Sequence, residues 1–496
     1  MGYSVIRSLA MAGALIFIAG CASVGPHRGT EALDKELAAR GVQAPSWPDT
    51  PLRKDAGSGE QPLTIEQAVA LAFQHNARIR ETYAELGIAE ADVVEAGRLG
   101  NPTIGYADLE PRGGGRSKIT RSVSLGFTDV LLLPMRSRVA REAFESARDR
   151  VGARLIELQA SVEAAWFEYV NALQVAEMRD AVALTASHSG EYAQRLHDAG
   201  NISKRALAIE LAAASEARIG AARARGEALR ARAGLANLIG SSSRDGWTVA
   251  ARLPAPLAAE DPPEQVIDDA LRSRLDLSAT RREIASLEGG LTLARRWRWL
   301  GELDLGYEWE SEDDGSRFRG PSFALRLPIF NLNSGGVVRA RSQLEAARAR
   351  LSEQEVAARN EIALGLDELV MAREIAESYR TALVPLRESI VQGAQEEMNF
   401  MLIGAFELMQ ARREQLAAYQ EYLEAVRDYW LARVHLRQAI GGPLPGDDAK
   451  PAATLGVEEI LAPSPAPDHS QHEMKPAESA PDPAHDHAHM NHGAQP

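Results

Sequence analysis

Leu303-Asp304-Leu305-Gly306-Tyr307-Glu308-Trp309-Glu310 alternates without a break. Odd positions hold Leu303, Leu305, Tyr307 and Trp309; even positions hold Asp304, Gly306, Glu308 and Glu310. Successive strand side chains point to opposite faces, so one face is apolar and aromatic and the other acidic. A strand between lipid and a watery lumen reads this way. So does a half-buried strand of a soluble sheet, and one strand does not separate the two. Related segments occur elsewhere. Asn101-Pro102-Thr103-Ile104-Gly105-Tyr106 opens one; Val123, Leu125 and Phe127 alternate with Ser122, Ser124 and Gly126; Phe323, Leu325 and Leu327 alternate with Ser322, Ala324 and Arg326. These make two hairpins around polar, Gly-rich loops at 111–118 and 312–320. Four strands fall short of the roughly eight that a lipid-facing barrel needs. A barrel therefore requires several copies, and three would supply twelve strands.

Outward from these strands the chain is written twice. Gly105 and Gly306 lie 201 positions apart, and so do Leu238-Ile239-Gly240 and Ala439-Ile440-Gly441. Arg141–Arg148 resembles Arg341–Arg348 at an offset of 200. Each half reads helix, strand, strand, long helix, turn, helix. The match is loosest at the start, where Leu63–Ala68 faces Pro262–Ile267. No proline interrupts the chain after Pro134 until beyond His197, and Pro134 suits a first helical turn. Sixty-four helical residues span about 96 Å. Gly335 to Phe400 is similar, with Pro385 as the one expected kink. Ala- and Leu-rich seams such as Leu155, Leu158, Val162, Ala165, Trp166 and Tyr169 suit a helical tube or a coiled-coil scaffold.

The chain has 496 residues, 5% of them aromatic and 25% charged, with a formal net charge of -14. That excess of acid argues against nucleic-acid binding, which needs clustered Lys and Arg. Arg7, an apolar run from Leu9 to Ala19 and the ending Ile18-Ala19-Gly20-Cys21 read as an export signal. This ending resembles the bacterial lipobox, which implies cleavage before Cys21 and lipid on its thiol; an ordinary signal with an incidental Cys is the alternative. Cys21 is the sole cysteine, so it has no internal disulfide partner. Ala22 after the Cys implies, by the same resemblance, sorting to the outer membrane. No later run of eighteen apolar residues exists, so a membrane crossing would have to be a closed β-barrel.

Leu327-Pro328-Ile329-Phe330-Asn331-Leu332-Asn333-Ser334-Gly335-Gly336 resembles the strand-to-helix passage of the TolC-like outer membrane efflux proteins, and closely that of their heavy-metal branch. Pro328 ends ladder donation, and the Gly pair frees the backbone to begin a helix. The resemblance covers roughly residues 60–442. It implies a mainly α protein: a long α-helical barrel, with four strands per protomer joining a trimeric 12-stranded outer-membrane β-barrel. It divides the chain into a signal peptide (1–20), a lipidated extension (21–62), two repeats (63–241 and 263–442) joined by a linker (242–262), and a tail (443–496). Gly200-Asn201-Ile202-Ser203 with Leu207, and Met401-Leu402-Ile403-Gly404 with Glu407, resemble the family's periplasmic turns. Ala206 replaces the usual acid in the first turn, and Met401 the usual Gly in the second. The resemblance places Glu407, with Gln410 one turn on, at the closed end of the tunnel. Three copies would gather three Glu407 carboxylates in a ring; a solvated helix-end carboxylate is the plainer alternative.

The resemblance also implies function: an exit channel taking its energy from an inner-membrane pump, of the resistance-nodulation-division type, through a periplasmic adaptor. The protein would be lipid-anchored in the outer membrane of a Gram-negative bacterium and extend into the periplasm. After Gly441 periodicity disappears, and residues 463–496 read as disordered. His469, His472, His485, His487, His489 and His492 lie here among Asp and Met, a ligand set suited to transition-metal ions held weakly. An incidental polar tail is the alternative. No tightly bound cofactor is expected. Gly113-Gly114-Gly115 lies in a hairpin loop rather than between strand and helix, and no Ser-His-Asp or Cys-His set emerges. Enzymatic activity is therefore not expected. Export of heavy-metal cations, a drug, solvent or secretion duct, a lipid-anchored scaffold and a metal store are the functions to be told apart.

Overall fold

In the computed structural model of the chain, residues 30–42, 62–110, 112–113, 116–257, 266–297, 299, 301–312, 314–447, 452–456 and 459–460 are described. Cys21 and the six tail histidines lie outside them. The elements are α1 Thr30–Ala38, α2 Ile65–His75, α3 Ala77–Ala96, β1 Thr103–Leu109, β2 Lys118–Gly126, α4 Phe127–Asp198 and α5 Lys204–Ile239. The second half gives α6 Val266–Ser273, α7 Leu275–Trp297, β3 Glu302–Ser311, β4 Arg317–Arg326 and α8 Ser334–Ser378. A π-helical turn, Tyr379–Leu383, leads into α9 Val384–Asn399, and α10 Ala405–Ile440 follows. The repeat holds even where the sequence matched loosely: α2 and α6 begin 201 positions apart, as do α5 and α10.

The strands form one antiparallel meander, β1-β2-β3-β4, in which β2 and β3 pair although α4 to α7 separate them in sequence. Register places Leu305 opposite both Leu125 and Phe323, and Tyr307 opposite Val123, which in turn faces Ile104. Ile104, Val123, Leu305, Tyr307, Trp309 and Phe323 share one face and are all exposed, Ile104 and Phe323 by 78% and 77%. Asp304, Gly306, Glu308 and Glu310 lie on the other face with Ser122, Ser124 and Ser322. The outer edges of β1 and β4 pair with no strand among the described residues.

Phe127 belongs to α4 rather than to the preceding strand, and α4 runs 72 residues, about 108 Å. Pro134 is therefore inside the helix, not in its first turn. The earlier start is fixed by Thr128, whose hydroxyl donates to the Gly301 carbonyl at 3.2 Å and accepts from Leu303 N–H at 2.8 Å, tying the helix to the foot of β3. Near Pro385 the helix does depart from α geometry. Proline lacks the N–H that an α-helix would direct to residue 381, and the π turn immediately before α9 takes up the mismatch.

Near the sheet the helices pack in the order α3, α4, α7, α8; toward the far end the order is α5, α4, α10, α9. Between them lies a waist with the densest core. Trp166, Phe167, Tyr169, Tyr429 and Trp430 are buried there, and Phe167 stacks on Trp430 at 5.1 Å. The N-terminal extension joins this core through Leu33 and Leu37 on α1, both fully buried. So does the segment taken as a linker: Trp247, Val249 and Leu253 are buried, and Leu63 bridges to Val249. Ordered packing continues past Gly442. Thr454 N–H donates to the Leu253 carbonyl at 2.9 Å, Gln174 Nε2 donates to Thr454 Oγ1 at 3.2 Å, and Ile460 is buried. A Pro- and Ala-rich segment needs no side-chain periodicity to add a single β-bridge, so composition hid this contact.

Asp149, 2% exposed, joins the halves: it accepts from Ser278 Oγ at 2.6 Å and from Arg282 Nε at 2.8 Å. Asp149→Ala strands both donors in a largely desolvated site. It should cost about 2 kcal/mol, less than a fully buried pair because Arg282 keeps some solvent. A circular-dichroism melt of the purified protein would register this as a lower midpoint.

Candidate conduit and its two ends

One sheet with an exposed apolar face and a polar reverse, continued by helices about 100 Å long, is a wall rather than a pocket. The polar face of the sheet carries Glu302, Asp304, Glu308 and Glu310. Arg326 pairs with Glu302 at 2.7 Å and Lys118 with Glu310, whereas Asp304 and Glu308 have no basic partner among the described residues. That leaves an acidic surface at the level of the sheet. No helix of the described residues is long and apolar enough to cross a membrane. The apolar band therefore belongs to the sheet and to the passage below it, where Leu327, Ile329 and Phe330 are exposed, Phe330 completely.

Between β4 and α8 the passage is built by asparagines. Asn331 Oδ1 accepts from Asn333 N–H at 2.9 Å, and Asn333, at φ 52, caps α8 from the left-handed region that Asn tolerates better than most residues. Pro328 stands just past the last ladder pair, Glu302 with Arg326. The two glycines of the pair differ: at Gly335 a Cβ would meet nothing within 4 Å. Gly336 is the constrained one, since its Cβ would lie 2.1 Å from Asn333 Oδ1. Which of two adjacent glycines touches the cap depends on the helix phase, which sequence alone does not supply.

The far end consists of two helical turns. In the first, Gly200 (φ +77) closes α4 and Ser203 caps α5, accepting from Ala206 N–H at 3.2 Å. In the second, Met401 takes the place of Gly200 at φ +60, and Gly404 precedes α10 without a side-chain cap. A side chain in that conformation is strained by roughly 1 kcal/mol or more. It is tolerated here because Met401 is 92% exposed, flanked by the exposed Phe400 and Leu402. Tyr192 packs on Phe406 at 5.6 Å, so the turns lie side by side.

Glu407 and Gln410 are both exposed on one side of the first turns of α10. Gln410 bridges two neighbours on the same helix. Its amide donates to Glu414 Oε1 at 2.9 Å, and its carbonyl accepts from Arg413 Nη2 at 2.6 Å. Gln410, then Arg387, hold the Glu414 carboxyl below the usual carboxylate range. Sequence reasoning missed Arg413, which also reaches Glu210 of α5 at 3.7 Å, while Ser189 of α4 donates to that same Glu210 at 2.7 Å. These contacts link the two hairpins. Their partners are some 200 residues apart and carry no local signal. Among the described residues, no group of three or more His, Cys, Asp or Glu is placed to hold a metal ion.

No family model matches the chain. It is 28% identical over 381 residues to protein CyaE of Bordetella pertussis, covering 71% of this chain and 77% of that protein. It is 23% identical over 385 residues to the cobalt-zinc-cadmium resistance protein CzcC of Cupriavidus metallidurans, covering 77% and 87%. Among solved structures it is similar to the CmeC outer membrane channel of Campylobacter jejuni, with a TM-score of 0.65, 15% identity, and 80% and 93% of the two chains covered.

The geometry of the passage separates its two glycines experimentally. Gly336→Ala should impede the start of α8 by about 1–3 kcal/mol, whereas Gly335→Ala should be neutral or slightly stabilising. Outer-membrane yield of each variant, with its heat stability in detergent, reads the difference.

Proposed function

We propose that this chain, whose fold is that of the TolC-like outer membrane channels, is the outer-membrane exit channel of a tripartite efflux system and that its cargo is heavy-metal cations. The observation that carries the channel reading is the four-stranded sheet with an exposed apolar face, an acidic reverse face and two unpaired edges. In lipid, unpaired backbone N–H and C=O groups cost several kcal/mol each, so those edges must be closed by further copies. Three protomers give twelve strands, within the range of single-layer outer-membrane barrels. The helices then continue the lumen into the periplasm, where Glu407 of each copy would stand at the far opening. The chain itself performs no chemistry: an inner-membrane pump of the resistance-nodulation-division type, joined by a periplasmic adaptor at the exposed turns, supplies the energy. Cys21 is the proposed lipid attachment site.

Similarity along most of the chain to a cobalt-zinc-cadmium resistance protein supports metal cations as cargo. Asp304 and Glu308 on the polar face agree with it, since unpaired carboxylates raise the local concentration of cations. The tail histidines, His469 to His492, lie outside the described residues; as imidazole ligands they would gather such ions. A drug, solvent or secretion duct is the second reading, since likeness in fold to the CmeC outer membrane channel fits either cargo.

A deletion strain tested against Cu, Ag, Zn, Co, Cd and Ni beside a drug panel decides between these cargoes. Sensitivity to particular metals, rescued by the full chain, is the expected result; sensitivity to drugs alone would leave the channel and remove the metals. Complementation by a chain ending at Pro445 is uninformative about the histidines, because it also removes Thr454 and Ile460, so the tail is better tested by truncation after Leu461. In planar bilayers, Asp304→Asn with Glu308→Gln should lower the cation-to-anion permeability ratio by roughly twofold. An unchanged reversal potential would mean that this face does not line the lumen. Arg413→Ala, which releases Glu210, should raise the resting conductance, read in the same bilayers.

A further inference from the structure

The exposed face of the sheet is not apolar along its whole length. Register stacks its side chains in rows across the four strands. Rows near the foot, such as Leu125, Leu305 and Phe323, carry no charge, and nor does the next, Ile104, Val123, Tyr307 and Pro321. The row above is Tyr106, Arg121, Trp309 and Arg319. Beside the hairpin loops the last row is Asp108, Ile119, Ser311 and Arg317. Within the strands, every charge on this face therefore lies at the end away from the helices. Arg121, Arg317 and Arg319 are exposed, and none forms an ion pair among the described residues, whereas on the opposite face Lys118 pairs with Glu310 and Arg326 with Glu302. Asp108 is the single acid of the exposed face within the strands, and its carboxylate accepts from the Tyr106 hydroxyl at 3.4 Å.

We propose that Arg121, Arg317 and Arg319 bind the phosphates of a glycolipid headgroup in the outer leaflet of the membrane. The proposal rests on the channel reading, which sets this face against lipid and puts the hairpin loops outside. Three cations against one acid repel each other and select an anion. A cation facing hydrocarbon is tolerated only near the interface, so this row marks the level of the headgroups. Tyr106 and Trp309 stand at the same level, where amphipathic aromatic rings meet the headgroups, and Tyr307 packs on Trp309 at 4.8 Å. The guanidinium fork matches phosphate with two hydrogen bonds at once. Strand spacing sets Arg121 and Arg319 about 10 Å apart on either side of Trp309, and places Arg317 about 7 Å from Arg319 along β4. One phosphate fits between Arg317 and Arg319, and a second reaches Arg121. A headgroup with two phosphates on a sugar backbone meets that spacing; the single phosphate of a glycerophospholipid reaches only one part of it. The acyl chains then run down the uncharged rows over Val123, Leu305 and Phe323. Free phosphate would supply the charge but cover none of this apolar surface, so the occupant is the lipid.

Native mass spectrometry of the full-length protein, released from its membrane in mild detergent, reads bound lipid directly. Diphosphoryl lipid A should be retained as an adduct, and monophosphoryl lipid A or phosphatidylglycerol about fivefold less. Arg121→Gln with Arg319→Gln should lower the lipid A adduct about fivefold while leaving trimer and bilayer conductance unchanged. Arg121→Lys with Arg319→Lys, which keeps the charge but not the fork, should retain more than the Gln pair, and carries the comparison if the Gln pair does not reach the membrane. Lipid A added back to delipidated protein should raise its melting midpoint, and inorganic phosphate should not. An equal rise with inorganic phosphate overturns the lipid as occupant. Equal retention of phosphatidylglycerol overturns the two-phosphate headgroup. Adducts undiminished in both variants overturn the arginine site. A conducting channel that holds no lipid A overturns the site alone, whereas an unmodified chain that is silent in bilayers overturns the channel reading.

Discussion

Everything in this structure depends on four strands having six backbone edges to satisfy within the sheet and two left over. In water, an unpaired strand edge is managed with charge, proline or a covering helix. Here β4 carries Arg317, Arg319 and Pro321 toward its loop end and β1 carries Asp108, yet neither edge pairs with a strand among the described residues, and the face between them presents Ile104, Val123, Leu305, Tyr307 and Phe323 to the surroundings. Exposed apolar side chains and exposed polar backbone make opposite demands on solvent. Lipid satisfies the first only if other strands satisfy the second, so membrane insertion and oligomerisation are one requirement.

The helical part answers to the same requirement from below. A strand pair separated by almost the whole first repeat, β2 with β3, can form only if α4 and α8 leave the sheet at fixed angles. The first departure is locked by Thr128 against the foot of β3, and the second by the Asn331–Asn333 turn with Gly336 beneath it. The waist then clamps both repeats, using the short helix α1 and the irregular segments around Trp247 and Thr454 as a belt around Trp166 and Trp430. Packed on aromatic side chains at the waist, the protein is held at its far end by polar contacts, the exposed Gln410 with Glu414 and the half-buried Arg413 with Glu210.

How far this was legible follows from the range of each interaction. Strand alternation is a local, period-two property, and Leu303–Glu310 stated both faces of the sheet before any coordinates. The 201-residue repeat likewise transmitted helix order and turn positions. Local rules failed where tertiary contacts overrode them. Pro134 reads as a helix start, but Thr128 begins the helix earlier by bonding to β3. The segments around Trp247 and Thr454 read as linker and tail because main-chain bridging leaves no mark on side-chain pattern. Arg413 with Glu210 lies in this class too: two half-buried charges far apart in sequence, with nothing local to join them.

One consequence of the repeat is that two equivalent turns have diverged in what they expose. Gly200 pays nothing for its left-handed backbone and is followed by Asn201 and a capping Ser203; Met401 bears strain, lacks a side-chain cap at Gly404 and stands between Phe400 and Leu402. A strained, uncapped and apolar turn is less stable in water than its twin, so it gains more from being covered. Copies arranged about an axis would present both kinds of turn in alternation. Of the two turns of one duplicated sequence, the second is therefore the one whose stability depends more on being covered.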